Sequence, residues 1–219
     1  MSNVNVLEEQ ELDLKGINIQ LRDKSPLEIV QWAVGLSKKT IVTTNFRPLE
    51  AVILHMAKLA DPEMDVLWID SGYNTKATYL FAEKAIEDMA LNTHVFNPLM
   101  TAARRDSIMN GVPDVDSPLH DEFTRQVKLE PFKRAMQAFS PEVWLTAIRK
   151  DQTPFRNNLD IVTQDETGLI KVAPVFYWTD VDMEGYLLEN NLPDEEDYFD
   201  PTKVLGDREC GLHTQSPVA

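Results

Sequence analysis

Thr40-Ile-Val-Thr-Thr-Asn-Phe-Arg-Pro48 is the stretch that decides the fold of this 219-residue chain. Its first five residues are mostly β-branched and predict a short buried strand, and an apolar helix is predicted over 49–59. A strand, a loop with hydroxyl side chains and a helix start make an anion site, because the first helical amides lack partners and the helix dipole is positive there. The candidates for holding phosphate in this loop are Thr43, Thr44, Asn45 and Arg47.

The same pattern repeats further along the chain. A second strand is predicted over 66–69, a helix over 75–90 and a third strand over 94–96. Strands and helices that alternate through short loops predict a doubly wound, mostly parallel α/β sheet. Ligands bind such sheets beyond the carboxyl ends of the strands. The loop after the second strand therefore adds Asp70, Ser71, Gly72 and Tyr73 to the candidate site.

A fourth strand, over 143–147, leads into the most concentrated positive charge near the predicted crevice. Guanidinium and ammonium groups bind phosphate or sulfate through charge-assisted hydrogen bonds. The same residues also fit a solvated basic loop. The cations of this loop are Arg149, Lys150 and Arg156.

The last third of the chain predicts two different parts. A hairpin is expected over 160–172, and Thr179 is expected to cap a helix that runs to 190. After this helix the sequence becomes acidic and contains prolines. We predict an α/β domain over 1–190 and an acidic tether with a terminal tail over 191–219.

Composition excludes several classes of function. The formal net charge of −15 argues against general nucleic-acid binding, which needs basic patches. The sequence shows neither an apolar run of membrane-spanning length nor a secretory signal in its first residues. A single cysteine excludes an intramolecular disulfide and a cysteine-rich zinc or iron–sulfur site, and it indicates a reducing compartment. We expect a cytoplasmic protein with neither a membrane nor a nucleic-acid partner.

The lone cysteine lies in Arg208-Glu-Cys-Gly-Leu-His213. The thiolate is the reactive form of cysteine, and neighbouring cations such as Arg208 and His213 lower its pKa. A tail near the end of a chain is expected to be mobile, so the sulfur of Cys210 would swing onto a substrate and away again. A free cysteine in a frayed tail fits the same residues.

Five motifs, in order along the chain, resemble those of the assimilatory phosphoadenylyl-sulfate (PAPS) reductases. The most specific is Glu-Cys-Gly-Leu-His near the end of the chain, which in that family carries the catalytic cysteine. The matching stretches here are Asp70-Ser-Gly-Tyr73 with Thr78-Tyr79, Lys128-Leu-Glu-Pro131, Arg149-Lys-Asp-Gln-Thr-Pro-Phe-Arg156, Lys171-Val-Ala-Pro174 with Trp178, and Glu209-Cys-Gly-Leu-His213.

The resemblance implies a nucleotide α-hydrolase-like fold, related to the PP-loop ATP pyrophosphatases. It implies reduction of PAPS to sulfite and adenosine 3′,5′-bisphosphate through an S-sulfonated Cys210, with thioredoxin or glutaredoxin as external reductant and without a bound metal or iron–sulfur cluster. Arg149, Lys150 and Arg156 would bind the phosphosulfate and the 3′-phosphate, and Lys128 and Arg208 are second choices. Residues 70–73 would border the adenosine, and His213 would support the thiolate or the leaving group. A homodimer is expected.

Three departures from the family pattern keep alternatives open. The phosphate loop is altered around Asn45, Lys150 replaces the second arginine of a twin pair, and a Gly-Tyr-x-Ser-(Ile/Val)-Gly-Asp segment is missing before the tail. One alternative is a nucleotide-binding relative without reductase activity, and another is a reductase that acts on adenylyl sulfate. An adenylyl transferase of the PP-loop class ranks lower, because its Ser-Gly-Gly-x-Asp-Ser loop is missing.

Overall fold

The computed structural model describes residues 12–203. It has six strands and eight α-helices in this range, joined by short loops, a π-helical turn at Arg125–Leu129 and two 3₁₀ turns at Lys150–Gln152 and Pro154–Asn158. The strands are β1 (Thr40–Thr44), β2 (Asp65–Ile69), β3 (Asn92–Phe96), β4 (Val143–Leu145), β5 (Val162–Gln164) and β6 (Ile170–Val172). The helices are α1 (Leu14–Leu21), α2 (Pro26–Gly35), α3 (Ala51–Ala60), α4 (Lys76–Asp88), α5 (Ala102–Met109), α6 (His120–Thr124), α7 (Glu130–Phe139) and α8 (Asp180–Glu189).

The six strands form one sheet in the order β3-β2-β1-β4-β6-β5. Only the β5–β6 pair is antiparallel, and it is the hairpin that the sequence predicts. Strand order reverses beside β1, where β2 lies on one side and β4 on the other. This is the switch point at which doubly wound sheets bind ligands, so the predicted fold class is confirmed.

Helices cover both faces of the central strands. Successive side chains of a strand point to opposite faces, so Ile41 of β1 packs towards α7 while Val42 packs towards α2 and α3. Both residues are fully buried. Burial on both faces explains why β2 is a near-continuous apolar run rather than an alternating one.

Side-chain hydrogen bonds fix the starts of two helices and the outer edge of the sheet. Ser25 and Glu28 form a reciprocal capping box that starts α2, and Thr179 and Asp182 form another that starts α8. The side-chain amide of Asn18 on α1 accepts from the backbone N–H of Val162 and donates to its carbonyl oxygen, both at 2.8 Å. Asn18 therefore occupies the free edge of β5 in place of a further strand.

The acidic segment after α8 packs against the sheet instead of leaving it. We call residues 194–203 the acidic strap. Asp194 accepts a hydrogen bond from the backbone N–H of Leu49 at 2.8 Å, and the carbonyl of Asp197 accepts from the hydroxyls of Thr75 and Thr78. The strap thus crosses the carboxyl edge of the sheet between the loops that follow β1 and β2.

Within residues 12–203, none of the helices has the length and apolar character needed to cross a membrane.

Candidate active site

Two adjoining cavities lie at the carboxyl end of β1, beneath the acidic strap. The first, which we call the β1 cavity, has a volume of about 110 Å³, and the second, the α8 cavity, has about 570 Å³. They share Arg47 and Glu50 of the β1–α3 loop and Tyr198 and Asp200 of the strap. Six predicted binding residues line the β1 cavity, namely Thr43, Thr44, Asn45, Arg47, Lys128 and Arg156.

A buried glutamate organises the loop after β1. The carboxylate of Glu50 accepts hydrogen bonds from the Thr44 hydroxyl at 2.7 Å, the Asn45 backbone N–H at 2.9 Å and Arg47 Nε at 2.8 Å. Phe46 and Leu49 adopt positive φ angles of 53° and 69°, which turn the chain tightly back onto the start of α3. The donors predicted to bind phosphate are therefore held in one arrangement by an internal carboxylate.

Aromatic and hydroxyl groups form the floor of the β1 cavity. The indole N–H of Trp144 donates to the hydroxyl of Thr43 at 2.9 Å, and the Trp144 ring lies 5.0 Å from that of Phe132 on α7. Trp144 can bridge the two elements because Ile41 of β1 is its register partner on the same face of the sheet. The floor is thus aromatic and apolar, with one fixed hydroxyl beside it.

Lys128 lies on the π-helical turn before α7, and its side chain is 7% exposed. Its ammonium group contacts the carboxylate of Asp200 at 2.7 Å and the hydroxyl of Thr202 at 3.2 Å. Burial raises the pKa of Asp200, but the Lys128 charge and hydrogen bonds from Lys128 and Thr202 outweigh it, so this pKa lies below its ordinary value. The carboxylate of Asp200 in the strap therefore forms an ion pair with Lys128, a residue that the sequence predicts to bind the substrate.

The basic loop after β4 divides between the two cavities. Arg156 is buried, bonds to Gln152 and lines the β1 cavity. Arg149 lines the α8 cavity, where its Nη2 contacts Asp180 at 2.5 Å, while its buried Nη1 has no hydrogen-bond partner among residues 12–203. Lys150 is exposed and lies 5.6 Å from the ring centre of Tyr177, away from both cavities.

The loop after β2 is built around Asp70. Its carboxylate accepts from the Gly72 backbone, Asn74, Tyr79 and Asn97 at 2.9 to 3.0 Å. Tyr73 points to α5, where its hydroxyl donates to Asp106 at 2.7 Å. Ser71 lies with Lys128 and Asn45 in a small recess under the strap. Asp70 thus shapes this loop through its own hydrogen bonds, and Ser71 shares a recess with one of the predicted cations, Lys128.

Three residues of the site were not expected from the sequence: Glu50, Trp144 and Asp200. The role of Glu50 is hard to predict from the sequence, because acidic residues are common at helix starts, where they interact favourably with the helix dipole. Asp200 lies in an acidic stretch whose simplest interpretation is a solvated tether. The predicted catalytic residues Arg208, Cys210 and His213 lie outside the described residues.

A mostly parallel sheet with anion donors at its switch point, covered by a strap, is the fold of the adenine-nucleotide α-hydrolase-like class, to which the PP-loop enzymes also belong. An FMN adenylyltransferase from Candida glabrata in complex with ATP shares this fold, with a TM-score of 0.53 and 14% identity over 80% of this chain and 57% of that one.

The comparisons with known proteins narrow this class to one family. The phosphoadenosine phosphosulfate reductase domain model matches residues 39–213. A phosphoadenosine 5′-phosphosulfate reductase from Synechococcus sp. is 32% identical over 82% of this chain and 78% of its own length, and one from Synechocystis sp. is 30% identical over 94% and 82%. The crystal structure of PAPS reductase from Candida auris in a phosphate complex has a TM-score of 0.72, with 25% identity over 85% of this chain and 91% of that one. The chain belongs to the phosphoadenosine phosphosulfate reductase family, so the predicted resemblance and the prediction of an enzyme of this family are confirmed.

Proposed function

We propose that this protein reduces PAPS to sulfite and adenosine 3′,5′-bisphosphate as a step of assimilatory sulfate reduction. The observation that carries the proposal is the β1 cavity, where Arg47, Lys128 and Arg156 converge beside the Thr43 hydroxyl and an aromatic floor. Its support is the family membership, together with a Glu-Cys-Gly-Leu-His tail at 209–213 that matches the family's catalytic motif. The substrate is strongly anionic. Its charge must be neutralised by these cations before a negatively charged thiolate can approach it.

The proposed reaction has two thiol steps. The Cys210 thiolate attacks the sulfate sulfur, the bond from that sulfur to the phosphate oxygen breaks, and the nucleotide leaves with the electron pair. A thiolate of thioredoxin or glutaredoxin then attacks the Cys210 sulfur and expels sulfite, which takes the electron pair of the sulfur–sulfur bond. The second thiol of the reductant resolves the mixed disulfide and regenerates Cys210. An external dithiol is required because Cys210 is the only cysteine in the chain.

The remaining residues have supporting roles in this proposal. Arg149 and Arg156 bind the phosphosulfate and the 3′-phosphate, and Arg208 and His213 stabilise the thiolate or the leaving group. Lys150, which the sequence adds to the substrate cations, lies away from both cavities and has no role in this proposal. Thr43, Thr44, Asn45 and Arg47 hold phosphate at the start of α3, and residues 70–73 border the adenosine. We further propose a cytoplasmic homodimer, without bound metal or iron–sulfur cluster.

The test is mass spectrometry of the reduced protein after incubation with PAPS in the absence of reductant. We expect an added mass of one SO₃ group on Cys210, which a dithiol removes and which the Cys210→Ser variant does not acquire. The same incubation with adenylyl sulfate identifies the substrate, because only the true sulfonucleotide should give the adduct at low concentration. Nucleotide binding without an adduct from either compound would instead support a relative that has lost reductase activity.

A further inference from the structure

A carboxylate of the β1–α3 loop lies among the cations that the site offers to an anion. Glu50 lines both the β1 cavity and the α8 cavity, and it is 7% exposed. A buried negative charge is unfavourable in itself, and in this position it also repels the proposed substrate. The position of Glu50 is therefore explained by the groups that it holds rather than by a ligand that it binds.

Both oxygens of the Glu50 carboxylate are engaged, and they have different partners. Oε2 accepts from the hydroxyl of Thr44 at 2.7 Å and from the backbone N–H of Asn45 at 2.9 Å, which fixes the carboxylate to the end of β1. Oε1 accepts from Nε of Arg47 at 2.8 Å. Because the two bonds to Oε2 prevent rotation of the carboxylate, Oε1 is a fixed acceptor for the guanidinium group.

The side chain of Arg47 bridges the ends of the two strands at the switch point. Its Nε is bound to Glu50, and its Nη2 donates to the carbonyl oxygen of Ala147, beyond the end of β4, at 3.4 Å. A guanidinium group is a rigid planar fork, so fixing Nε also fixes the direction of the other N–H groups. The side chain of Arg47 lines both cavities and is 27% exposed, which keeps it accessible to a ligand.

The β1–α3 loop has hydrogen bonds of its own apart from the ion pair between Glu50 and Arg47. The backbone N–H of Glu50 donates to the carbonyl oxygen of Arg47 at 3.2 Å and closes the turn. The hydroxyl of Thr44 accepts from the backbone N–H of Phe46 at 2.9 Å. Neither bond involves the guanidinium group. The ion pair therefore adds a fixed side-chain direction to a turn that the backbone already closes.

We propose that Glu50 is a positioning residue that acts through Arg47. Its carboxylate holds the guanidinium group at the junction of the two cavities, directed at the phosphate that leaves when the sulfur–oxygen bond breaks. Negative charge develops on this phosphate in the transition state, and a donor that is already in place stabilises the charge without reorganisation. The inference rests on the proposed function, because it assigns Glu50 a task within the first thiol step.

The test measures the rate of SO₃ addition to Cys210 by mass spectrometry of quenched samples, at a series of PAPS concentrations and without reductant. Glu50→Gln keeps the size of the side chain, but its single oxygen cannot serve both the Asn45 N–H and Nε of Arg47. We expect the saturating rate to fall by about 10- to 100-fold, because a misplaced donor stabilises the transition state poorly. The PAPS concentration at half-saturation should change far less, since the variant also removes a repelling charge. If Glu50 were only a repelling charge, the variant would bind PAPS more tightly at an unchanged saturating rate.

Two comparisons separate positioning from a merely structural role. In the Arg47→Met background, Glu50→Gln should cause no further loss of rate, because residues that act through one contact are not additive. Arg47→Lys keeps the charge but lacks the planar fork, so it should lose nearly as much rate as Arg47→Met. Glu83→Gln is the matched control, since Glu83 is an exposed glutamate of α4 and its loss changes the net charge equally. Calorimetry with adenosine 3′,5′-bisphosphate shows that each variant is folded.

Three results would each overturn the positioning role: an equal loss from Glu50→Gln with and without Arg47, a full rate in Arg47→Lys, or equal rates in Glu50→Gln and Glu83→Gln. If Glu50→Gln does not fold, the two single Arg47 variants still decide, because they alter a partly exposed side chain. A wild type that binds the bisphosphate but forms no adduct would refute the proposed function, and the role of Glu50 with it. A wild type that forms the adduct supports the proposed function, and the variants then decide on Glu50 alone.

Discussion

Replacing Asp200 with asparagine should loosen one half of the acidic strap. The Asp200 carboxylate is 13% exposed, and it joins the strap to Lys128 at 2.7 Å. Its Oδ1 also accepts from the backbone N–H and the hydroxyl of Thr202, at 3.0 and 2.7 Å. Asparagine keeps an oxygen for Thr202 but presents an N–H donor or a neutral oxygen to the ammonium group of Lys128. The change therefore removes the charge of the anchor and leaves its size.

The expected magnitude follows from this one contact. A hydrogen bond to a charged group contributes about 1.5 to 3 kcal/mol net, and the opened strap lets Lys128 reach water, so the larger penalty of a trapped charge does not apply. The population of the open strap should therefore rise by about 10- to 100-fold. The Asp194 and Asp197 anchors do not involve Asp200, so the effect should be confined to residues 198–203.

Hydrogen exchange followed by mass spectrometry measures this population, because amide exchange through local opening scales with the opening equilibrium. The reporters are the amides of Thr202 and Lys203, whose hydrogen bonds end on Asp200. Glu196→Gln is the matched control, since it removes one charge from an exposed strap residue whose side chain makes no hydrogen bond among residues 12–203. Unchanged exchange in Asp200→Asn, or equal acceleration in Glu196→Gln, would refute the assignment of Asp200 as the anchor.

Two further outcomes are expected. The pKa of Asp200 is lowered from 3.8, so its stabilising effect is present at neutral pH and is lost as the pH falls through that lowered pKa. The difference in unfolding free energy between the wild type and Asp200→Asn should therefore stay constant down to about pH 5 and shrink below the ordinary pKa of an aspartate. A difference that vanishes nearer neutral pH would contradict a lowered pKa for Asp200. Asn18→Ala strips partners from the buried N–H and C=O of Val162 and should cost about 2 to 4 kcal/mol in urea unfolding, whereas Gln20→Ala on the exposed face of α1 should cost far less. Equal losses in these two variants would show that the edge of β5 does not depend on Asn18.

The parts of the fold that local sequence controls were predicted correctly. Strand β1 is rich in β-branched residues, β2 is an apolar run bounded by turn signals, and the Thr179 cap that starts α8 lies within four residues of sequence. The site could be placed at the carboxyl ends of β1, β2 and β4 because parallel topology forces those ends to one edge. No individual contact was needed for either inference.

What the sequence did not reveal depends on which side chains meet across the fold. Lys128 and Asp200 are 72 residues apart, and only packing shows that they form an ion pair. Glu50 looks like an ordinary residue at a helix start until the positive φ angles of Phe46 and Leu49 turn the loop around its carboxylate. The hydroxyl of Thr146 likewise is buried and has no hydrogen-bond partner among residues 12–203, which only the packing around the end of β4 reveals.

The end of the strap has a kinetic consequence. Lys203 lines the β1 cavity and lies seven residues before Cys210. Seven residues, even fully extended, span at most about 25 Å, so covalent geometry confines the sulfur to that radius around the cavity rim. A thiol joined to the cavity rim by so short a segment has an effective concentration of roughly millimolar order. In the proposed reaction, the first thiol step should therefore proceed at a rate independent of protein concentration, while the second step should depend on the concentration of the dithiol that arrives from solution.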